Sequence, residues 1–228
     1  MRKISLDINK NFIYIYHYKI PDHLTIQTIR SLISSLPERD HEHLHGLLNK
    51  DVQERALFSK LLIQYVVSKL SIPGSPNIET TLTGKPFFAA FPSFDFNISH
   101  SSKMVICCVT GNSFVGIDIE RIRPIELDIY KDYFQSDEWS DIHSSENPVS
   151  AFFSLWVRKE ALIKADGRGT EISLSSINAM NSEVTIDAKK WYIKDLILED
   201  GYSCAFACEK LKPIKLLNFN KLLNTNAI

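Results

Sequence analysis

The sequence predicts an α+β protein made of two similar halves, and three observations carry that prediction. A succession of strand and helices followed by strands occurs twice. The 228 residues suit one large domain or two small fused ones, either of which can bury a core. Apolar residues make up 44% of the chain, the proportion of an ordinary soluble globule. The turn at Gly111-Asn112 divides the chain into residues 1–111 and 112–228.

Each element follows from local pattern. Phe12 to Tyr18 is aromatic and β-branched and predicts a strand. Leu24 to Leu36 predicts a helix that stops before Pro37. Asp51-Val52-Gln53-Glu54 has the spacing of a capping box with an acidic N-cap, opening a long central helix through Leu70. Ser71 to Pro76 is a turn-rich break. Phe94 to Ile98 is a strand ending in a Ser99-His100-Ser101 turn, and the continuous apolar run Met104 to Thr110 is another strand. Phe114 to Glu120 is the next. Leu127 to Phe134 and Asp137 to Ile142 predict short helices, and Val149 to Ala165 a strong helix closed by Gly167 as a left-handed cap. Glu183 to Ile186, Trp191 to Leu198 and Tyr202 to Cys208 form an antiparallel meander, and Leu222 to Ile228 is expected to fray.

Composition excludes several classes. Charge is nearly balanced, with 26 Lys and Arg against 27 Asp and Glu, so any anion site is local and no nucleic acid is expected. No apolar run is long enough to span a bilayer, and Met1 to Tyr18 lacks the continuous apolar stretch of a signal peptide. Cys107, Cys108, Cys204 and Cys208 lack zinc-knuckle spacing and sit in apolar runs. They read as small core residues in a reducing compartment, so a cytoplasmic protein is expected, with a disulfide between the two regions left open.

Gly116-Ile117-Asp118-Ile119-Glu120 is the first segment that carries chemistry. Alternate side chains of a strand share a face, so Asp118 and Glu120 point one way and Ile117 and Ile119 the other. Two such carboxylates repel by roughly 4 kcal/mol at ~4 Å and an effective dielectric near 20. Solvent, a neighbouring Arg or Lys, or a cation relieves that repulsion. Oxygen ligands alone favour magnesium or manganese over zinc. An exposed strand face neutralised by Arg121 and Arg123 accounts for the same pattern.

The second segment is Trp156-Val157-Arg158-Lys159-Glu160-Ala161-Leu162-Ile163-Lys164. Helical periodicity puts Trp156, Glu160 and Lys164 on one stripe with Lys159 about one hundred degrees round, so Glu160 is flanked by two cations. Glu160 suits a third metal ligand or a general base for an attacking hydroxyl, and Lys164 suits a phosphate oxygen. An ordinary surface ion pair of Glu160 with Lys164 also fits the spacing.

Ser99 and His100 invite a hydrolase reading. Adjacent strand residues point to opposite faces, however, and no Gly-x-Ser-x-Gly elbow is present. A phosphate gripped by hydroxyl and imidazole fits better, with a plain turn role for Ser99 left open. Arg55 lies in the first turn of the central helix, where the helix dipole favours anions. Thr83-Gly84-Lys85-Pro86 is a turn whose backbone can lie flat against a base. His41, His43 and His45 alternate, but nothing completes a four-ligand zinc set, so a solvated loop or helix end is the simpler reading.

Together these segments resemble the surfactin-type (Sfp-type) 4′-phosphopantetheinyl transferases over most of the chain. The order is Arg55, Gly84-Lys85-Pro86, Phe96-Asn97-Ile98-Ser99-His100-Ser101, Gly116 to Glu120, Phe134-Gln135-Ser136-Asp137-Glu138, then Trp156-x-x-Lys159-Glu160-Ala161-x-x-Lys164. The resemblance implies two α+β halves about a pseudo-twofold axis, with the active site in the cleft between them and the chain a monomer. It implies coenzyme A as donor and a serine of an acyl- or peptidyl-carrier domain as acceptor. The products would be the holo-carrier and 3′,5′-adenosine bisphosphate. Asp118, Glu120 and Glu160 would ligate magnesium, and Glu160 would deprotonate the serine. Lys164 would stabilise the phosphate under attack, and Ser99 would help hold the phosphates. His100 and Arg55 would grip the 3′-phosphate, with Gly84, Lys85 and Pro86 bordering the adenine. Glu138 matches a family motif and is not assigned as a ligand.

One segment departs from the family pattern. Pro37 to His43 carries Arg39 as its only permanent cation where relatives often carry several, so Arg39, His41 and His43 are the available substitutes there. A non-catalytic binder of coenzyme A or carrier domains is the alternative function. A nucleotide phosphotransferase of the P-loop kind is disfavoured, since no Gly-x-x-x-x-Gly-Lys-[Ser/Thr] loop occurs.

Overall fold

The computed structural model describes residues 8–69 and 78–219. The expectations for Ser71 to Pro76 and for Leu222 to Ile228 fall outside those residues. In chain order the elements are β1 (Ile13–Lys19), α1 (Ile26–Ser34), α2 (His41–Gly46), α3 (Lys50–Lys69), β2 (Ile78–Thr80), β3 (Pro86–Phe88), β4 (Phe94–Ser101), β5 (Met104–Gly111) and β6 (Val115–Arg121). A 3₁₀ stretch at Leu127–Tyr133 precedes α4 (Ser136–Ser144) and α5 (Pro148–Asp166). The strands β7 (Glu183–Ile186), β8 (Lys189–Asp195), β9 (Tyr202–Cys208) and β10 (Ile214–Asn218) follow.

Two four-stranded sheets organise the molecule, in the orders β10-β1-β5-β4 and β6-β9-β8-β7. They form the middle of an α-β-β-α stack. Strand β5 shows why. Val105, Cys107 and Val109 pack with Leu57, Phe58 and Leu62 of α3, while Met104, Ile106 and Cys108 pack with Ile117, Ile119 and Phe206 of the second sheet. A strand buried on both faces reads as an unbroken apolar run. The adjacent Cys107 and Cys108 thus serve opposite faces, and all four cysteines are buried and free, which settles the open disulfide. On the far face of the second sheet, Phe152, Ala161, Leu162 and Ala165 of α5 cover Trp191, Ile193, Ala205 and Ala207.

Several local expectations are corrected. The N-cap of α3 is Asn49, whose Oδ1 accepts the Val52 N–H at 3.1 Å, so Asp51 lies inside the first turn. A genuine Glu-to-cap contact occurs at α4, where Glu138 accepts the Gln135 N–H at 2.9 Å. Ser99, His100 and Ser101 remain within β4, and the turn follows at Ser102, whose φ is +50°. Pro86 opens strand β3. One expectation is met instead: His43 and His45 lie at a helix end, the last turn of the short helix α2. Residues 214–218, placed by the sequence in the second half, run parallel to β1 in the first sheet.

Candidate active site

The two halves meet along a cavity of about 550 Å³. Strand β4 contributes Ile98, Ser99 and His100, α3 contributes Ala56, Ser59 and Lys60, β6 contributes Asp118 and Glu120, and α5 contributes Trp156, Glu160 and Lys164. The two periodicities read from sequence are realised. Ile117 and Ile119 face the seam between sheets while Asp118 and Glu120 face the cavity, and Trp156, Glu160 and Lys164 form the stripe opposite.

Gly116 makes the approach possible. A Cβ there would collide with the Ala161 carbonyl oxygen and the Ala165 nitrogen, both backbone atoms of α5. The missing side chain lets α5 lie against β6 and brings both acidic segments to one wall.

Asp118 is the hub. Its Oδ1 accepts the Lys164 ammonium at 2.6 Å and the Ser99 hydroxyl at 2.7 Å, and Lys164 also lies 3.2 Å from Ser99. Its Oδ2 is buried and has no partner. Glu120 accepts the Ser101 hydroxyl at 2.7 Å. Burial pushes the Glu160 carboxyl upward, with Asp118 and then Glu120 adding to the rise and Lys164 opposing it. Glu120 is also raised, again by burial first. His100 is pushed down by burial and by the cations Arg55 and Lys164. Arg55 is half-buried on α3 and is not among the residues that line the cavity.

As the side chains stand, no three His, Cys, Asp or Glu among the described residues form a ready metal cage. The Lys164 ammonium neutralises Asp118 in the place a cation would. The residues nonetheless fit a hard divalent ion. The donors are all oxygen, they share one cavity, and one buried carboxylate oxygen is left unsatisfied.

Lys159 does not flank Glu160. It turns away from the cavity into the core of the second half, 2.6 Å from Glu138, and donates to the carbonyls of Leu174 and Ile177. Glu138 in turn accepts the Ala179 N–H at 2.8 Å. The Lys85 ammonium is likewise committed, to Asp95 at 2.8 Å and to the carbonyls of Val115 and Ala165 at 3.2 Å. Gly84, with φ of +87°, shapes the turn that brings Thr83 against the Gly167 carbonyl. Gly84-Lys85-Pro86 therefore ties the first half to the end of α5, and only its backbone is free to border a base.

The model of the 4′-phosphopantetheinyl transferase superfamily matches residues 114–207, and that of the 4′-phosphopantetheinyl transferase N-terminal region matches residues 24–111. The transferase gsp of Aneurinibacillus migulanus is 31% identical over 216 residues, covering 90% of this chain and 89% of that protein. The chain belongs to the 4′-phosphopantetheinyl transferase family. Within it, the 4′-phosphopantetheinyl transferase Sfp of Bacillus subtilis (strain 168) is 32% identical over 194 residues, 80% of this chain and 83% of that one. The transferase psf-1 of Bacillus pumilus is 41% identical over 133 residues, 57% of each chain. These relatives make this a transferase of the surfactin type. The two family matches divide at the Gly111 to Phe114 turn, between the transferase's two sheets.

Sequence reasoning missed three cavity residues of this transferase: Ala56, Ser59 and Lys60. Lys60 pairs with Asp40 at 2.6 Å, and the Ser59 hydroxyl has no partner. The helical spacing from Arg55 was the available signal, since positions 55, 56, 59 and 60 share one side of α3. No described helix is long and apolar enough to cross a membrane.

Proposed function

We propose that this protein transfers 4′-phosphopantetheine from coenzyme A to a serine hydroxyl of an acyl- or peptidyl-carrier domain. The reaction uses magnesium, with manganese as a substitute, and leaves holo-carrier and 3′,5′-adenosine bisphosphate. The protein acts as a cytoplasmic monomer. One observation supports this reading beyond family membership: Asp118, Glu120, Glu160 and Lys164 converge on one cavity from a strand and a helix.

Asp118, Glu120 and Glu160 would hold the metal. Bound there, it would offset the charge of the donor's pyrophosphate, which three carboxylates would otherwise repel. The raised pKa of Glu160 suits a base that takes the proton of the incoming serine hydroxyl. Lys164, which donates to Asp118, would steady the phosphate oxygens as charge develops. Ser99, whose hydroxyl meets Asp118, would help hold the same phosphates. His100 of the cavity wall and Arg55 of the neighbouring α3 turn would hold the 3′-phosphate, and the backbone of the Gly84 turn would border the adenine. Phosphoryl transfer demands positioning and charge neutralisation more than covalent participation, and these groups supply both. Carrier domains would meet the rim beside the cavity, where Ile129 and Tyr133 are exposed.

The test is direct. Purified protein, coenzyme A and magnesium are incubated with a set of apo-carrier domains, and the carriers are weighed by mass spectrometry. A phosphopantetheine mass gain is expected. No gain on any carrier, beside a working transferase on the same carriers, would leave coenzyme A or carrier binding without catalysis as the function.

A further inference from the structure

Strand β6 is an edge of the second sheet, paired with β9 on one side only. Backbone N–H groups on its other side point at β4, the edge of the first sheet. The two edges do not pair as strands, and buried N–H groups need acceptors. Side chains of β4 supply them. The Val115 N–H donates to Asp95 Oδ2 at 2.7 Å, the Ile117 N–H to Asn97 Oδ1 at 3.1 Å, and the Arg121 N–H to Ser101 Oγ at 3.0 Å. Acceptors 95, 97 and 101 share one face of β4, and donors 115, 117 and 121 share one edge of β6. Each donor follows its acceptor by 20 residues. This is a ladder in which side chains replace one strand's backbone. Ser99, at the remaining position, gives its hydroxyl to Asp118 instead.

We propose that Asn97 is a positioning residue: its side-chain carbonyl sets where β6 lies against β4 and so aims Asp118 and Glu120 at Glu160. This deepens the proposed function and rests on it. Among the three acceptors, Asn97 is the central one. Asp95 is also engaged by Lys85, and the Ser101 acceptor serves the exposed Arg121. Asn97 is buried, neutral and bonded to the residue immediately before Asp118. On the cavity face β9 offers only small partners, with Ala207 opposite Gly116, Ala205 opposite Asp118 and Ser203 opposite Glu120. No large β9 side chain fixes the carboxylates from that side. A slip of one residue would turn both carboxylates into the apolar seam and both isoleucines into the cavity. Smaller displacements would spoil their convergence with Glu160.

The experiment compares wild type, Asn97→Ala and Asn97→Ser. Serine retains a hydroxyl acceptor of the kind Ser101 already supplies to Arg121. In Asn97→Ala, amide exchange at Ile117 is expected to accelerate roughly tenfold relative to the other β6 amides. Turnover should fall about tenfold and the magnesium needed for half-activation should rise, while the KM for coenzyme A stays within about twofold. Asn97→Ser should restore protection of Ile117 and at least about a third of the turnover. A folded Asn97→Ala protein with wild-type protection at Ile117, or with turnover and magnesium response unchanged, overturns the proposal. Should Asn97→Ala not fold, Asn97→Ser decides: a folded serine variant that loses Ile117 protection yet keeps full turnover also overturns it. A wild-type protein that never modifies a carrier refutes the functional reading itself, an outcome told apart from the others by the wild-type control.

Discussion

Helix α5 carries two lysine–carboxylate pairs of equal length and opposite purpose. Lys159 meets Glu138 at 2.6 Å, and Lys164 meets Asp118 at 2.6 Å. Both side chains of the first pair are 0% exposed, and two carbonyls and two backbone amides complete their hydrogen bonding. In the second pair Lys164 is 28% exposed, and Asp118 keeps an oxygen with no partner. The difference lies in what surrounds the bond. A closed, satisfied pair fastens α5 to the 3₁₀ turns at Leu174–Ser176 and to α4. An open, unsatisfied pair is prepared to exchange partners when an ion or phosphate arrives.

The largest break in this comparison should come from Glu160→Gln, on the open side. Removing a general base typically costs a factor of ~10²–10⁴ in rate. Turnover should fall by about that much while the Kd for coenzyme A, read by calorimetry, changes far less. The unfolding free energy should hold or rise slightly, because one carboxylate leaves a repelling group of three. Equal losses in turnover and affinity would make Glu160 a binding residue only.

The closed pair should answer in the opposite sense. Lys159→Met strands the Glu138 carboxylate in the core and should cost roughly 3–5 kcal/mol of stability by urea unfolding. Adding Glu138→Leu should recover most of that, because two apolar groups replace two paired charges. Recovery stays incomplete, since the Gln135 and Ala179 N–H groups lose their acceptor. A double variant as unstable as Lys159→Met alone would contradict the account of a compensated charge.

What the sequence made legible, and what it hid, follows the same division. Short-range periodicity was enough for the open site. Alternation separated Asp118 and Glu120 from Ile117 and Ile119, and the helical repeat aligned Trp156, Glu160 and Lys164. The strand Tyr202–Cys208 was legible to the residue. Partners distant in sequence were not. Helical spacing gives the angle of Lys159, but only packing reveals that Glu138, 21 residues earlier, waits on that side. Lys85 sits in a turn that looks solvated, yet its partners Val115 and Ala165 come from the other half. Strand β10 joins β1 across nearly the whole chain, a parallel pairing that no local pattern encodes. The serines of β4 looked like a turn because hydroxyls are common in turns, whereas here they bond across the seam to the acidic strand.

Gly116→Ala tests the surface on which the open pair depends and the closed pair does not. The new Cβ would meet backbone of α5, which cannot rotate out of the way as a side chain can. Overpacking of this kind costs about 1–3 kcal/mol. Lifting α5 from β6 would separate Glu160 and Lys164 from Asp118 and leave Lys159 and Glu138 together, since both lie on the α5 side of the break. Turnover should therefore drop more steeply than the melting temperature. A variant that loses stability but keeps full turnover would show that the contact at Gly116 does not set the distance across the site.

Arg55→Ala gives the smallest effect and probes α3, away from both pairs. The KM for coenzyme A should rise by about tenfold, the worth of one charge-assisted contact. Dephospho-coenzyme A lacks the 3′-phosphate and should be nearly indifferent to the change. The penalty should also depend on pH. In the wild type, Arg55 helps hold the His100 pKa below its ordinary value, after burial. Removing that cation lets the pKa rise, so His100 binds a proton more readily as pH falls. The regained positive charge would replace part of the lost one near pH 6 and none of it near pH 8. The ratio of variant to wild-type KM should therefore grow from pH 6 to pH 8. Taking the ratio removes the titration of the donor's own phosphate, which is common to both proteins. A ratio flat across that range would separate His100 from Arg55, and equal losses with both donors would remove Arg55 from the 3′-phosphate altogether.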